Sequence, residues 1–307
     1  MTTSSAPLPR ATYLRGAAWG IGAISIWVGW ILLTRFGVTT NLNAYDITAL
    51  RFACAGLILL PLAIKYGFPI AQIGWLKFLI ICAGAGVPYV LIASSGLGFA
   101  PARHGGALIP GTMPLWAAII SMLFLGEKIS NARRFGLCLI PVGIAFLLGV
   151  GLADFSKMME QGYWRGHLLF LCAAICWASY TNALRASGLS AIHATAMVAV
   201  VSAVFYLPIY ALFLPHNLAT APWGTIVIQT VFQGVFVSIV SMIAYARAVE
   251  ILGASLGASF ASLVPVAAML AAIPLLNEVP TFIDCVGIVI ITIGVFFASG
   301  ASAIFKK

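Results

Sequence analysis

Arg51 stands inside an apolar stretch near 44–64, about two helical turns from one end. A cation at that depth is costly unless partnered, so it is a candidate to neutralise a ligand carboxylate or to pair with opposing carbonyl groups. Gln229, Gln233, Ser241 and Tyr245 recur at multiples of four with Ser238 beside them, so a regular helix would align them along one face. Such a stripe is either a cavity wall that hydrogen-bonds a solute or the polar glue that joins membrane helices. Trp27 and Trp30, Trp177 and Tyr180, and Tyr89 lie within apolar segments, away from the ends where interfacial aromatics gather. They are candidates to stack on an apolar or aromatic part of the same ligand.

Pro88 with Gly84 and Gly86, Pro110 with Pro114, and Pro265 are candidate hinge positions, because proline removes a helical hydrogen bond. His104, at the start of an apolar stretch, is expected to be solvated. Asp46, Glu127, Glu250, Glu278 and Asp284 fall at or near segment ends, so a carboxylate proton relay has no evident carrier and facilitated diffusion or exchange is the expectation. Glu250 is expected to pair with Arg247 three residues away.

Catalytic and metal chemistry find little support. Cys54, Cys82, Cys138, Cys172, Cys176 and Cys285 form no C-x-x-C pair and have no histidine at ligand spacing. They are expected to be small buried residues, and neither metal nor cofactor is expected. Gly253-Ala254-Ser255-Leu256-Gly257 matches the G-x-S-x-G string, but that motif needs a strand-turn-helix elbow with a histidine and an acid. Here it opens an apolar helix in which Ser255, Ser259 and Ser262 read as packing positions. With no H-E-x-x-H and no phosphate-binding loop, an intramembrane enzyme is the weaker alternative to a transporter, and a non-transporting scaffold is another.

The elements that must position these residues are membrane helices. Only 7% of the 307 residues are charged, 62% are hydrophobic and the mean hydropathy is +1.09, whereas soluble domains carry about 25% charge. Hydropathy places ten all-α spans near 14–36, 44–64, 73–98, 102–125, 133–151, 166–186, 191–214, 223–247, 254–276 and 281–303. Barrel strands would alternate with a period of two, and no such alternation is seen. The first stretch is too long for a cleaved signal and reads as a span.

The net charge of +9 does not point to nucleic acid, because the basic residues are scattered over helix ends rather than gathered in a stripe with aromatics. With the N-terminus in the cytoplasm, Arg10, Arg15, Lys65, Lys77, Lys128, Arg133, Arg134, Arg185, Arg247, Lys306 and Lys307 fall inside and Arg35, Arg103, Lys157 and Arg165 outside. That asymmetry is the positive-inside pattern and predicts both termini in the cytoplasm.

The chain also repeats itself. Gly16, Trp27 and Arg35 match Gly166, Trp177 and Arg185, 150 residues on, while Gly106, Pro114, Glu127, Gly136 and Gly143 match Gly257, Pro265, Glu278, Gly287 and Gly294, 151 residues on. Two five-span halves, 1–154 and 155–307, follow, and an odd number of crossings turns the second upside down. The charges agree: Lys128, Arg133 and Arg134 correspond to Val279, Asp284 and Cys285. Inverted repeats of this kind build secondary transporters with a midplane site.

The signature of a proline-centred span, a closing Glu and a glycine-spaced span occurs twice, as Pro114 to Glu127 with Gly136 and Gly143, and as Pro265 to Glu278 with Gly287 and Gly294. With Arg51-Phe52 and Tyr245-Ala246-Arg247-Ala248, it resembles the EamA-type members of the drug/metabolite transporter superfamily over nearly the whole chain. Asn277 departs from the usual glycine, and His104-Gly105-Gly106 and Pro110 are less typical. The resemblance implies a multi-pass protein of the bacterial cytoplasmic membrane, monomer or homodimer, whose partners are a small-molecule substrate and the lipid bilayer. It implies export or exchange of small organic metabolites, amino acids or drugs, and the several interior aromatics make an aromatic or branched amino acid the first expectation.

Overall fold

The computed structural model describes residues 10–148, 156 and 158–300, and all regular structure among them is helical. Both chain ends, Lys157, Lys306, Lys307 and the expected junction of the halves at 154/155 lie outside the described residues. In the first half the helices are α1 (Arg10–Thr39), α2 (Ala44–Tyr66), the short α3 (Ile70–Ile73), α4 (Trp75–Ala85), α5 (Val87–Phe99), α6 (Ala102–Leu125) and α7 (Asn131–Leu147). In the second they are α8 (Tyr163–Ser187), α9 (Ala191–Phe213), α10 (Trp223–Val231), a π-helical segment (Phe232–Val240), α11 (Ser241–Leu252), α12 (Ala254–Ala261), α13 (Val264–Leu276) and α14 (Phe282–Ala298).

Eight of these stretches are long and apolar enough to cross a bilayer, with α4–α5, α10–α11 and the Ser259–Leu276 run each counting once. The protein is therefore a multi-pass membrane protein. α7 and α14, the fifth and tenth expected spans, have 17 residues each and a length of about 26 Å, against a hydrocarbon core of about 30 Å. Large side chains such as Phe124, Leu212, Phe213, Trp223 and Phe282 lie on the outside, where lipid and not water can cover them.

Two spans are broken where the sequence signals a break. The third parts into α4 and α5 at Gly86, with Pro88 in the first turn of α5, and the ninth parts before Pro265, in the first turn of α13. By contrast, α6 runs on through Pro110 and Pro114, so those two prolines do not interrupt their helix. The eighth span departs from a regular α-helix: nine residues wind as a π-helix, and the span ends at Leu252 rather than near 247.

Helix starts follow from local chemistry. Asn43 and Asp46, and Thr281 and Asp284, form reciprocal capping boxes, while Ser130 and Ser190 cap α7 and α9. At the end of α6 the chain turns through left-handed Gly126, and at the matching end of α13 it turns through Asn277 at φ 55°. Asn is the non-glycine residue that best tolerates this conformation, which is why the departure from glycine leaves the turn intact.

The two halves pack through one another with their repeat partners exchanged. A Cβ on Gly136 would meet Gly294 O and Ala298 N at 2.5 Å each, and one on Gly143 would meet Gly287 O at 2.7 Å. Gly136 corresponds to Gly287 and Gly143 to Gly294, so α7 and α14 lie antiparallel with each glycine facing the counterpart of the other. The same exchange joins α1 and α8 to their neighbours: Gly16 sits against Ile251 and Leu252 of α11, and Gly166 against Gly96 and Ala100 of the α5 end. Burial repeats as well, agreeing at nine of ten positions between 21–30 and 171–180. Gly56 of α2 rests on Ala199 and Ala203 of α9. Small residues thus set the close helix approaches, as membrane packing requires.

The cysteines correct one expectation. All six are free, five are half-buried and Cys138 is exposed, because the helix faces that carry them turn partly toward the bundle surface.

Candidate functional site

The interior of the bundle holds a run of aromatic rings. Trp30 of α1 stacks on Tyr89 of α5 with centroids 6.0 Å apart, Tyr89 lies 5.1 Å from Trp177 of α8, and Trp177 lies 5.2 Å from Tyr180. α1 and α8, repeat counterparts, thereby meet through a single α5 ring. Trp27, the repeat counterpart of Trp177, turns instead to Tyr245 of α11, 5.2 Å away. The break at Gly86 sets Tyr89 in the first turn of α5, where the ring run needs it.

Arg51 borders this run. Its side chain is 7% exposed, lies near Tyr89, and has its guanidinium carbon 5.9 Å from the Phe52 ring centroid. Among the described residues no carboxylate pairs with it, and its buried Nε has no hydrogen-bond partner. The other orphaned buried polar atoms include Trp30 Nε1, on the ring that stacks on Tyr89, and Gln233 Oε1. The Gln233 amide donates to Thr34 Oγ1 at 2.9 Å and to Gln229 Oε1 at 3.1 Å, and Gln229 donates to the Leu33 carbonyl. Thr34 is one turn beyond Trp30 on α1, which ties the glutamines to the aromatic run. An arginine, an indole N–H and an amide oxygen left open in one apolar interior can receive a carboxylate and a donor group together.

The polar stripe resolves into two parts. Gln229 and Gln233 bind α1 and leave one acceptor open, whereas Ser238 and Ser241 donate to the carbonyls of Gln233 and Val237 in their own span. The Ser238 bond reaches back five residues because the π-helix widens the turn. That segment packs tightly on α2, where a Cβ on Gly234 would meet Cys54.

At one end of α6 the structure gathers ionisable groups that the sequence placed apart. His104 Nε2 lies 3.0 Å from Asp284 Oδ1, His104 Nδ1 lies 2.9 Å from His167 Nε2, and Arg103 donates to Asp284 Oδ2 at 3.0 Å. His104 is 4% and His167 2% exposed, so His104 is not solvated as expected: α8 and α14 fold over it. Beside this cluster Glu278 takes an ion pair from Arg35 at 2.9 Å and accepts the Ala102 N–H at 2.7 Å. A cleft of about 480 Å³ reaches Arg103, His104, Tyr163 and Asp284. His167 and Thr34 were missed from sequence; the available signal for His167 was its place next to the repeated Gly166.

The remaining expectations lie at the surface or beyond description. Arg247 pairs with Glu250 at 2.8 Å, three residues on as expected. The side chain of Ser255 lies outside the described ones. Among the described residues no group of three His, Cys, Asp or Glu side chains is placed to hold a metal ion.

Comparison with known proteins bears on the whole assembly. The sequence is 26% identical to the uncharacterized transporter YyaM of Bacillus subtilis (strain 168) over 211 residues, which is 66% of each chain. It is 25% identical to the uncharacterized transporter YetK of the same organism over 292 residues, 91% of this chain and 84% of that one. A crystal structure superposes on 95% of this chain and 99% of its own with a TM-score of 0.63 at 21% identity, a likeness of fold. The EamA-like transporter family pattern fits residues 14–149 and again 164–300, and the chain belongs to that family.

Proposed function

We propose that the protein is a secondary transporter that exports or exchanges small organic metabolites across the bacterial cytoplasmic membrane by alternating access. The favoured solutes bear a carboxylate and an aromatic or branched apolar portion, as amino acids do. In this reading ten crossings form two inverted halves, 1–154 and 155–307, with both termini in the cytoplasm. The exchanged glycine contacts of α7 with α14 support the inversion, since a twofold axis between antiparallel copies pairs each residue with its partner's counterpart.

One observation carries the solute class: a buried Arg51 that has no anionic partner among the described residues and lies near Tyr89, whose ring stacks on Trp30. An unpaired cation in the membrane costs about 3 kcal/mol even on insertion scales. A carboxylate delivered by a solute offsets that cost, while the rings receive the apolar part.

The test is flux into liposomes that hold purified protein, with a panel of amino acids, other carboxylates and neutral analogues. Saturable, ATP-independent flux of carboxylate-bearing solutes is expected, together with thermal stabilisation of the protein by the same compounds. Equal stabilisation by neutral analogues would overturn the role given to Arg51, and absence of any solute flux would overturn transport.

A further inference from the structure

The sequence offered no proton carrier, yet the fold brings Asp284, His104 and His167 into one hydrogen-bonded line from α14 through α6 to α8. With both imidazoles neutral, each contact fixes a proton. Asp284 is held ionised by Arg103 at 3.0 Å, so it accepts, and His104 Nε2 must carry a hydrogen. Neutral His104 then has a bare Nδ1, which accepts from His167 Nε2–H. This leaves His167 Nδ1 bare, and that atom is buried and has no partner. All donors in the line point toward Asp284, and the one vacant acceptor is at the opposite end.

We propose that this line is a proton-binding site, loaded at His167 Nδ1 and discharged at Asp284. A proton that binds His167 Nδ1 makes that ring an imidazolium. The Nε2–H bond of His167 then breaks as the Nδ1–H bond of His104 forms, which moves the charge to His104. Transfer of the His104 Nε2 proton to Asp284 Oδ1 leaves His104 neutral and places the proton on a carboxyl at the cleft. The first new bond is to the incoming proton; in each of the two transfers that follow, one N–H bond breaks as one bond to hydrogen forms, and no heavy atom needs to move. Imidazoles suit the task, since one ring nitrogen can accept a proton while the other gives one up.

The surroundings fit a site that holds at most one extra charge. α6 supplies Arg103, α14 supplies Asp284, and α8 supplies Tyr163, whose ring stands edge-on to His104 at 6.0 Å. Glu278 and Arg35 form a closed ion pair one residue before Arg103, where Glu278 also holds the Ala102 N–H. The charges of these two ion pairs cancel, and Arg165, two residues before His167 on α8, lies over the Phe99 and Trp164 rings. Because the line joins three helices only while this end of the bundle is closed, and because charged hydrogen bonds are the stronger ones, proton uptake and closure of this end favour one another. That coupling rests on the transporter reading; proton binding itself does not.

Ring-nitrogen magnetic resonance on purified, solute-free protein labelled with 15N-histidine tests the site. The chain has only four histidines: His104, His167, His193 and His216. Two rings are expected to share a coupling through an N–H···N bond and to shift together as one proton is taken up. Asp284→Asn is expected to move that uptake to lower pH by at least about one unit, and His167→Gln to abolish the shared step. Two buried rings that titrate separately, or that stay neutral at every pH at which the protein remains folded, would overturn the proposal. The wild-type spectrum alone decides between these outcomes if the variants do not fold.

Discussion

Arg35 reaches across the bundle from α1 to an ion pair with Glu278, 2.9 Å away, and its repeat counterpart makes the same bond in reverse. Arg185 corresponds to Arg35 and Glu127 to Glu278, and these two also meet at 2.9 Å. Each bond joins an arginine of one half to a glutamate of the other. Glu278 bonds the first residue of α6, and Glu127 follows the last turn of α6, so the two pairs stand at opposite ends of one helix. Their environments differ: the side chains of Arg35 and Glu278 are 18% and 13% exposed, those of Arg185 and Glu127 56% and 39%. One end is sealed around its ion pair while the other is open to its surroundings.

This asymmetry predicts unequal mutants. Glu278→Gln leaves a mostly buried arginine without its anion and is expected to lower stability by about 3 kcal/mol. Glu127→Gln removes an exposed pair and is expected to cost less than about 1 kcal/mol. Thermal unfolding in one detergent measures both. Exchanging the partners, as Arg35→Glu with Glu278→Arg, is expected to recover part of the first loss; equal losses at the two ends would contradict the difference in burial.

The exchanged glycines predict a second ranking. A methyl on Gly136 meets two backbone atoms at 2.5 Å, whereas one on Gly287 meets a single backbone atom, the Gly143 oxygen, at 2.9 Å and side chains beyond it. Backbone cannot rotate away as a side chain can, so Gly136→Ala is expected to separate α7 from α14 and cost about 2 to 3 kcal/mol, near the upper part of the overpacking range. Gly287→Ala is expected to cost about half as much, by the same measurement.

Much of the fold was legible in the chain because membrane burial writes itself into hydropathy, and duplication into Gly, Pro and Glu at fixed offsets. The break at Gly86 was visible for the same reason, since glycine beside proline marks weak helical bonding. The π-helix was not: a stripe counted in steps of four assumes the α-helical period that residues 232–240 abandon. Nor was the burial of His104, whose partner Asp284 is 180 residues away. Position at the end of a span says only that water is near, and it took α8 and α14 to exclude it. The Arg35–Glu278 bond was half legible, for all four residues of the two exchanged pairs stood in the repeat, but which arginine meets which glutamate depends on the fold.

Removing the unpaired cation separates binding from stability. Arg51→Met keeps the length and apolar volume of the side chain while deleting a buried charge that has no partner. The solute-free protein is expected to gain about 1 to 3 kcal/mol, and its stabilisation by carboxylate solutes is expected to vanish. A drop in solute-free stability would mean that Arg51 is held by the protein itself and is not the solute's counter-ion.

Trp30 and Gln229 offer the sharpest contrast, because one polar group is idle in the solute-free protein and the other is occupied. Trp30→Phe preserves a ring against Tyr89 but removes Nε1, which bonds nothing. Its cost to folding is expected to be the lost ring volume alone, while affinity for a solute that fills that donor falls about tenfold, the worth of one hydrogen bond of about 1.5 kcal/mol. Gln229→Leu removes one of the two acceptors of the Gln233 amide and the side-chain bond to the Leu33 carbonyl, and leaves the Thr34 bond in place. That variant is expected to lose about 2 to 3 kcal/mol of stability whether or not solute is present, with solute affinity changed less than in Trp30→Phe. Calorimetric titration beside thermal unfolding separates the two effects. If Gln229→Leu proved harmless to folding but abolished binding, the glutamine would face the solute and the bond to α1 would be incidental.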